Sequence, residues 1–457
     1  MRFITKKNPK IIILGGGPTG LGAAWRLREL GYENWVLYEK NAFCGGLSST
    51  FRDEQGFFWD VGGHVIHSHY KYFDRFLSKV LKKDFYRHQR ESWIKTTNSW
   101  VPYPFQNNLR YLTKEVQLEC VLGVAKADIE KAKKAKNFEE WIINVFGHGI
   151  AKYFLFPDNF KRWATPLNKM DKGWIADRIS VVDFKRILEN LIYEKDDISW
   201  GPNNTFIFPK FGGTGEISSR AAEFLKDNVL SGRGVKSVDL AQKQVVFNNG
   251  QKDSFDYLIS TVPLDKFLKL SKDIPKQLIA MVNRLAHNNI LVVGVGLKKE
   301  IKTTKCWVYF TDPDVPFYRL SYFHNYSPFN VPEGNPKKFS SLMCEVSYSR
   351  YKKENKENIA ERCIRGLIKS GIVNESDRTK IISRVVYDVP YAYPIPTLGR
   401  DKILKSVQLF LMKKGIYSRG RFGAWKYEIG NMDHSFMQGV EAVDKILNNK
   451  KETIWSL

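Results

Sequence analysis

Residues 11–22 read Ile-Ile-Ile-Leu-Gly-Gly-Gly-Pro-Thr-Gly-Leu-Gly, an apolar strand that runs directly into a glycine-rich turn. Gly15, Gly17 and Gly20 have the G-x-G-x-x-G spacing. In that motif the first glycine allows the tight turn, the second lets the backbone approach a pyrophosphate, and the third lets a helix pack on the strand. We predict a helix over residues 23–30, whose N-terminal N–H groups would face phosphate charge. The pattern indicates a site for an ADP-containing dinucleotide.

A second apolar strand is predicted at residues 35–38, and Glu39 follows it. A carboxylate about 20 residues past the turn is typical of sites that bind a ribose 2′-OH. The acid argues against a 2′-phosphate, because two negative groups would repel each other. Glycines that serve packing alone are the other interpretation, but strand, turn, helix, strand and acid in this order favour a nucleotide. The motif by itself leaves nicotinamide and flavin open.

Two later glycine pairs, Gly45-Gly46 and Gly62-Gly63, favour flavin. Neighbouring glycines let the backbone lie directly against a flat or extended ligand. His64 follows the second pair, and we predict that it packs against the flavin. The motifs H-E-x-x-H, G-x-S-x-G and the P-loop do not occur. Any catalysis is therefore expected to rely on the cofactor for the difficult step.

The composition indicates a globular protein of about two or three domains. Hydrophobic residues make up 43% of the 457 residues, and no apolar run approaches the length of a membrane span. The five cysteines lie far apart without a C-x-x-C motif, which predicts reduced thiols. The N-terminal residues lack the apolar segment of a signal peptide. We therefore expect a cytoplasmic protein that does not bind membranes.

The formal net charge is +24, from 72 Lys and Arg against 48 Asp and Glu. Nucleic-acid binding is one interpretation, since clustered basic residues follow phosphates. The lysines are spread along the whole chain, however, and the densest run, residues 131–136, has no interleaved aromatics. A lysine-rich solvated surface is the favoured interpretation, with no nucleic acid as partner. Such a protein would still attract anionic substrates such as nucleotide sugars.

The predicted fold class is α/β, a Rossmann-like FAD-binding domain with an inserted helical domain and a mostly antiparallel sheet domain. Residues 1–95, 205–265 and 415–457 are assigned to the FAD-binding domain, 96–204 to the helical domain and 266–414 to the sheet domain. Residues 70–196 carry a mostly helical pattern. Within it, Asn137 and Glu140 have the spacing of a helix N-cap. Strands are predicted at residues 306–310, 317–322 and 341–348.

Several polar and aromatic residues indicate an anionic substrate. Arg319 lies between aromatic residues, and Tyr393, Arg421 and Tyr427 lie in segments rich in glycine and proline. Arginine binds pyrophosphate through paired N–H groups, and tyrosine hydroxyls add uncharged donors. Surface ion pairs and core packing are equally possible roles for each residue taken alone. His64, His67 and His69 have the spacing of metal ligands, but no neighbouring carboxylate or cysteine completes a set, so no metal is predicted.

Seven segments together resemble the UDP-galactopyranose mutases of the eukaryotic type. They are G-G-G-P-T-G-L-G (15–22), V-G-G-H-V-I-H-S-H-Y (61–70), V-P-Y-P-F-Q-N-N (101–108), N-F-K-R-W-A (159–164), W-G-P-N-N-T (200–205), C-W-V-Y-F (306–310) and S-R-G-R-F-G-A-W-K-Y-E-I-G-N-M-D-H-S-F (418–436). The resemblance implies interconversion of UDP-galactopyranose and UDP-galactofuranose for cell-surface glycans, by covalent catalysis through N5 of reduced FAD without net redox. It also implies NADPH as the probable reductant.

The resemblance carries site residues over by position. His64, Arg178 and Arg319 are the implied catalytic residues, with the two arginines on the pyrophosphate. The implied substrate-binding residues are Tyr103, Gln106, Asn159, Trp163, Asn203, Trp307, Tyr309, Tyr393 and Tyr427. The cofactor site predicted from the motif and the resemblance comprises Gly15, Gly17, Pro18, Thr19, Gly20, Glu39, Gly45, Gly46, Leu47, Ser48, Gly62, Gly63, His64, Val235, Arg421, Asn431, Met432 and Ser435. Arg90 and Ser92 match NADPH-binding positions. Arg178 and Asn203 fall in segments expected to close over substrate.

The chain departs from the family pattern at three positions: His67 stands where a Phe is usual, Met432 for a Gln and Ala392 for a Gly. These changes bear on rate more than on reaction type. The resemblance leaves the oligomeric state open. Two other functions also stay open, a flavin oxidoreductase of the amine-oxidase or desaturase type and a non-catalytic binder of nucleotide sugars or nucleic acid.

Overall fold

The structure is a computed structural model that describes residues 8–175, 179, 181, 183–198 and 204–456. Its strands are β1 (Ile11–Leu14), β2 (Trp35–Tyr38), β3 (Thr50–Arg52), β4 (Phe58–Asp60), β5 (Phe85–Gln89), β6 (Ser92–Lys95), β7 (Trp100–Pro102), β8 (Thr205–Pro209), β9 (Val229–Leu230), β10 (Val235–Asp239), β11 (Gln244–Phe247), β12 (Lys252–Ser254), β13 (Tyr257–Ser260), β14 (Ala286–Leu297), β15 (Trp307–Phe310), β16 (Arg319–Tyr322), β17 (Ser340–Tyr348), β18 (Ile381–Ile395) and β19 (Ile416–Ser418). Its α-helices are α1 (Pro18–Glu29), α2 (Lys71–Leu81), α3 (Lys114–Ala125), α4 (Ile129–Lys134), α5 (Phe138–Ile150), α6 (Phe156–Trp163), α7 (Phe184–Ile192), α8 (Gly215–Phe224), α9 (Leu264–Leu270), α10 (Lys276–Val282), α11 (Ile359–Lys369), α12 (Arg400–Lys413) and α13 (Met432–Asn448).

A parallel sheet in the order β19-β13-β1-β2-β9 forms the nucleotide-binding part of the fold. All four residues of β1 are buried, as expected for a central strand covered on both faces. The predicted strands at 11–14 and 35–38 are confirmed. Helix α1 begins at Pro18, earlier than the predicted start at 23, because proline at the first helical position is preorganised for a helix. The last two glycines of residues 15–22 therefore lie inside the helix.

Helices α1 and α13 cross at glycines, so the N-terminal and C-terminal parts of the chain pack together. A methyl group on Gly22 would lie 2.1 Å from the Phe436 carbonyl oxygen, and one on Gly439 would lie 2.0 Å from the Thr19 carbonyl oxygen. Either clash would push the helices apart. The crossing therefore fixes α13 against the helix that follows the glycine-rich turn.

The second large sheet has the order β18-β14-β17-β16-β15-β6-β7. All its neighbours are antiparallel except β6 and β15. The mostly antiparallel sheet expected from the sequence is thus confirmed, and so is the overall fold class. The prediction of helix over 70–196 was wrong at β5, β6 and β7. These strands are only three to five residues long, and their partners β8 and β15 lie far along the chain, so the local pattern was weak.

The helical part consists of α3 to α7 around a core of buried aromatic and aliphatic side chains. Asn137 caps α5 as predicted, accepting a hydrogen bond from the Glu140 N–H at 2.9 Å. A π-helical turn at 151–155 joins α5 to α6. Such turns inside longer helices are common near functional sites. Among the described helices, we find none with the length and apolar character needed to cross a bilayer.

Candidate active site

Two glycine turns lie against each other at the carboxyl end of β1. The Gly45 N–H donates to the Gly16 carbonyl oxygen at 2.9 Å. Gly20 lies so close to the first turn that a methyl group there would come within 1.9 Å of the Gly15 carbonyl oxygen. At Gly17, in contrast, a methyl group would meet no described protein atom nearer than 3.9 Å. The backbone at Gly17 therefore faces open space, as the motif requires of its second glycine.

The start of α1 fits a pyrophosphate. No side chain caps the helix, and its first turn contains no acidic residue, so the N-terminal N–H groups are available to an anion. Pro18 and Thr19 lie in this first turn, and the short 3-10 helix Gly46–Ser48, which contains Leu47, faces it. These observations fit FAD, the cofactor expected from the sequence.

Glu39 lies beside the glycine turns, at the end of the site that is expected to bind the nucleotide. Its carboxylate accepts the Gly16 N–H at 2.7 Å and the Asn41 N–H at 2.8 Å, so it is held against the turn. The Arg233 N–H donates to the Glu39 carbonyl oxygen at 2.8 Å. This bond brings the segment before β10, and with it Val235, alongside the acid. Sequence positions 39 and 235 are therefore neighbours, as expected for one nucleotide site.

A cavity of about 180 Å³ lies between the antiparallel sheet, the loop at residues 61–67 and the start of α13. Ten of the predicted site residues line it: Leu47, Gly62, Gly63, His64, Arg319, Tyr393, Arg421, Tyr427, Asn431 and Met432. Ser435 lies just behind this wall, where its N–H donates to the Asn431 carbonyl oxygen at 2.8 Å. Residues from opposite ends of the chain, chosen from sequence alone, thus meet around one cavity.

The structure makes His64 a neutral side chain. Burial and the nearby Arg421 charge lower its pKa to about 4. Its Nδ1 atom is buried without a hydrogen-bond partner among the described residues. A buried polar atom without a partner is costly, so the atom fits a ligand placed in this cavity.

Arg319 is held in place by Glu345 on the neighbouring strand. The Arg319 guanidinium donates to the Glu345 carboxylate and, through Nη2, to the Gly63 carbonyl oxygen at 3.0 Å. The Tyr318 hydroxyl donates to the other Glu345 oxygen at 3.1 Å. Burial alone would raise the pKa of Glu345, but the Arg319 charge lowers it below its usual value. The pair is therefore ionised, and the arginine is fixed at the loop that carries His64.

An aromatic wall closes the side of the cavity next to the helical part. Trp163 meets Tyr427 with ring centres 4.7 Å apart and Tyr393 at 5.8 Å, both nearly edge-on. The Arg421 guanidinium lies 5.5 Å from the Tyr393 ring centre and donates to the carbonyl oxygens of Gly430 and Ala392. Edge-on packing fixes the rings relative to one another. The hydroxyl groups at positions 393 and 427 are thus presented by a rigid support.

Helix α6, which carries Asn159 and Trp163, is attached to the antiparallel sheet through its last carbonyl groups. Ser347 Oγ donates to the Lys161 carbonyl oxygen, Asn288 Nδ2 to that of Arg162 at 2.9 Å, and Ser349 Oγ to that of Ala164. The Trp163 indole N–H donates to Asn159 Oδ1 at 3.1 Å. The terminal carbonyls of a helix need such partners when they are buried. The sheet therefore determines where α6 presents its side chains.

The remaining predicted residues lie outside the cavity lining. The rings of Tyr103 and Tyr309 are 5.8 Å apart, and Arg90 lies over the Tyr103 ring at 5.6 Å. Gln106 and Trp307 are buried, and Ser92 is buried on β6 next to β15. The predicted residues Arg178 and Asn203 lie outside the described residues.

The three departures from the family pattern all line the cavity. His67 Nδ1 lies 3.0 Å from the Thr205 carbonyl oxygen, and burial lowers the pKa of this histidine. Met432 is the first residue of α13, and Ala392 accepts a hydrogen bond from Arg421. They therefore face the predicted ligands.

Sequence reasoning missed Glu345 and Asp433, the acidic residues of the site. Glu345 is an acid inside the otherwise apolar and small-residue strand β17, a signal that was available in the sequence. Asp433 accepts hydrogen bonds from His69 and His434, at 2.7 and 2.9 Å. His69 and Asp433 are 364 positions apart, so no local pattern could have paired them. The carboxylate that the sequence analysis did not find near the histidines is thus supplied by α13.

Comparisons with known proteins agree with this geometry. Residues 18–447 match the family model described as flavin containing amine oxidoreductase. Two curated relatives are a probable flavin-containing monoamine oxidase A of Dictyostelium discoideum, 29% identical over 119 residues (26% of this chain, 25% of that protein), and the flavin-containing amine oxidase B of Canis lupus familiaris, 23% identical over 320 residues (66% and 57%). The matches thus span from a quarter to somewhat over half of the length of these relatives.

Solved structures give a closer match. A crystal structure of reduced UDP-galactopyranose mutase superposes with a TM-score of 0.91 at 43% identity, covering 97% of this chain and 96% of that one. A putative protoporphyrinogen oxidase from Exiguobacterium, at 14% identity and a TM-score of 0.73 over 97% and 100%, shares the fold. The chain therefore belongs to the flavin-containing amine oxidoreductase family and, by its close match to a solved relative, to the UDP-galactopyranose mutases.

Proposed function

We propose that this protein interconverts UDP-galactopyranose and UDP-galactofuranose. The observation that carries the proposal is the 43% identity to a reduced UDP-galactopyranose mutase over 97% of the chain. The cavity supports it independently, since Arg319 and the hydroxyl groups of Tyr393 and Tyr427 meet beside the predicted flavin loop. Guanidinium and phenol groups suit a diphosphate that must be held after it leaves the sugar.

FAD is the proposed cofactor, held by the glycine turns, the start of α1 and Glu39. When bound in its reduced form, FAD would supply a nucleophilic N5 atom for covalent catalysis without net redox. Asn431 and Met432 at the start of α13 would place a helix N-terminus near the ring, where the helix dipole favours negative charge. The protein's own contribution is then to bind, orient and shield the substrate.

A neutral His64 suits a site that binds and orients the substrate beside the flavin. An imidazole with a pKa of about 4 adds no positive charge to the cavity at neutral pH and can donate or accept a hydrogen bond. Arg319, fixed by Glu345, offers its remaining N–H groups to the diphosphate. Tyr393 and Tyr427 donate hydroxyl protons, and burial raises the pKa of Tyr393 further above its usual value, so it stays protonated. Arg178 and Asn203 are proposed to join this site when substrate binds.

Tyr103, Gln106, Asn159 and Trp307 are proposed to surround the uridine. Tyr309 is proposed to bind the phosphates together with Tyr393 and Tyr427, and Trp163 to lie near the sugar and the phosphates. Trp163 and Asn159 are linked by a hydrogen bond, so they form a single rigid surface. NADPH is the proposed reductant, with Arg90 and Ser92 at its site. We further propose a cytoplasmic enzyme of cell-surface glycan synthesis, a setting consistent with the five free, buried cysteines.

A flavin oxidoreductase of the amine-oxidase type is the second candidate, favoured by the family model and the curated relatives. Such an enzyme would hold an uncharged amine and flavin in an apolar cavity. The Arg319 and Arg421 guanidinium groups beside the proposed flavin site argue against it, because charged side chains are costly to place in a cavity that should be apolar. Oxygen consumption with amine substrates would favour this candidate.

The deciding experiment is chromatography of UDP-galactofuranose incubated with the FAD-loaded protein, with and without dithionite. We expect UDP-galactopyranose to form only under reducing conditions. Boiled protein and protein stripped of FAD serve as controls. Binding of UDP without turnover in the reduced state would instead indicate a non-catalytic nucleotide-sugar binder.

A further inference from the structure

Arg162 is a further guanidinium group near the proposed substrate cleft, and neither the motif nor the resemblance assigned it a role. It lies on α6, between Asn159 and Trp163 of the predicted site and next to the latter in sequence. Its Cζ atom lies 4.8 Å from the ring centre of Tyr309 and 5.9 Å from that of Tyr318. Tyr309 is a predicted substrate residue, and Tyr318 supports the Glu345 carboxylate that holds Arg319. The Arg162 guanidinium therefore lies close to the rings of both Tyr309 and Tyr318 beside the cleft.

The Arg162 side chain is held by an ion pair, but one of its N–H donors has no partner among the described residues. Its Nη2 atom donates to both oxygens of Asp158, at 3.1 and 2.9 Å, one helical turn earlier. Its Nε atom is buried and has no hydrogen-bond partner among the described residues. Leaving a buried donor unpaired costs free energy that a purely structural arginine would avoid. Burial lowers the pKa of Arg162, but Asp158 and the surrounding tyrosines raise it more, so the group stays charged.

Three of the surrounding hydroxyl groups, those of Tyr103, Tyr309 and Tyr427, belong to predicted substrate-binding residues. The Arg162 charge acts on Tyr309 and Tyr427 as well as on Tyr318 and Tyr103. Trp163, the next residue, packs against Tyr427. A cation over a tyrosine face holds the ring in one orientation and makes its hydroxyl a better donor. The Arg162 side chain thus lies where its charge acts on all three of these phenols.

We propose that Arg162 positions Tyr309 for the substrate and adds positive charge to the diphosphate end of the cleft. The inference rests on the proposed function, because it assigns Tyr309 and Tyr427 to a UDP-sugar. Arg162 is then a positioning residue, and it strengthens binding of the diphosphate more than binding of the uridine. Uridine, which lacks the phosphates, would gain little from it.

The test measures the Kd of UDP and of uridine by calorimetry with the FAD-loaded protein. Arg162→Met keeps the length of the side chain and removes its charge and its planar face. We expect the Kd for UDP to rise about tenfold, the scale of a partly buried cation–π contact with its charge, while the Kd for uridine changes less than about twofold. The UDP affinity of the variant should also depend less on salt.

Matched variants separate this role from simple pairing with Asp158. Arg365→Met removes another arginine with a helical i,i+4 acid, Glu361, on helix α11, which does not line the cavity, and should leave the affinity for UDP unchanged. If Arg162 serves only as the counterion of Asp158, the double variant Asp158→Asn/Arg162→Met should restore UDP binding. We expect it to stay weak. Should the Met variant fail to retain FAD, Arg162→Gln, which can still bond to Asp158, is measured instead.

The possible outcomes are distinct. An unchanged UDP affinity in Arg162→Met or Arg162→Gln, an equal loss for uridine, or recovery in the double variant would overturn the inference. Failure of the parent protein to bind UDP or to convert UDP-galactofuranose would instead overturn the proposed function. A loss confined to UDP that persists in the double variant supports the inference.

Discussion

Arg319 and Glu345 lie directly opposite each other on the antiparallel strands β16 and β17, and their side chains form a buried ion pair. The register of the two strands thus places both the Arg319 guanidinium and the Glu345 carboxylate at the cavity wall. Removing one partner of such a pair leaves the other charge buried and alone. The consequences for binding and for stability can therefore be separated by experiment.

Replacing Arg319 by Ala should weaken UDP binding by about 1.5–3 kcal/mol, the scale of a charged hydrogen bond. It should also lower the free energy of unfolding by about 3–5 kcal/mol, because Glu345 is left unpaired. The double variant Arg319→Met/Glu345→Gln should recover much of the stability without recovering affinity. Calorimetry with UDP and denaturant unfolding measure the two effects. An unchanged affinity for UDP would contradict the assignment of Arg319.

Gly17→Ala should impair FAD binding, whereas Gly20→Ala should impair stability. At Gly17 the added methyl group would meet no described atom within 3.9 Å, and the backbone φ of −75° is normal for alanine. The protein should therefore fold but lose FAD, since the methyl group would occupy the space needed by the pyrophosphate.

At Gly20 the methyl group would lie 1.9 Å from the Gly15 carbonyl oxygen, so the turn itself must move. This variant should be destabilised by several kcal/mol, on the scale of severe overpacking (~3 kcal/mol). Flavin absorbance per chain and thermal unfolding distinguish the two cases. Full FAD occupancy in Gly17→Ala would show that the cofactor lies elsewhere.

Stability should fall in acid because of His64. Its folded pKa of about 4 lies below the value of about 6.5 in an unfolded chain, so the unfolded state binds more protons between these values. The stabilisation from the neutral imidazole is present above pH 6.5 and is lost as the pH falls towards 4. We expect about 1 kcal/mol of this loss between pH 7 and pH 5, after allowance for partial exposure. His64→Gln should lack this part of the pH dependence in urea unfolding of the apoprotein, and an identical slope would refute the assignment.

Asn288 should matter for substrate binding although it is fully buried and is not itself a predicted substrate-binding residue. Its Nδ2 atom donates to the Arg162 carbonyl oxygen at 2.9 Å, and its Oδ1 atom accepts the Tyr393 N–H at 2.9 Å. It thus joins helix α6 to strand β18 at the aromatic wall. Asn288→Asp, which keeps the acceptor but loses the donor, should raise KM more than it lowers kcat. Steady-state kinetics with UDP-galactofuranose measure this, and an unchanged KM would contradict the link.

The nucleotide-binding part could be predicted from the sequence because its signals are local. The G-x-G-x-x-G turn, the apolar strand before it and Glu39 lie within 29 residues, and their order favours a nucleotide site over glycines that serve packing alone. The cavity residues followed from the resemblance, which places distant segments in one site. His64, Arg319 and Tyr427 meet as that resemblance implied.

What could not be predicted depends on tertiary contacts. The strands β5 and β6 are stabilised by partners more than 100 residues away, and their own sequences carry weak patterns. Likewise, the sequence alone does not show that His69 pairs with Asp433 on α13. The orientation of Arg162 over Tyr309 depends on the register of α6 on the sheet, which its C-terminal carbonyls set.

The crossing of α1 and α13 has a consequence for how the protein is made. Strand β1 is synthesised about 400 residues before β19, which belongs to the same sheet, and before α13, which packs on α1. The nascent chain therefore cannot assemble the whole nucleotide-binding part until α13 has been synthesised. We therefore expect the flavin to bind only after α13 has been made, and ribosome-stalled chains that end before residue 432 should be colourless.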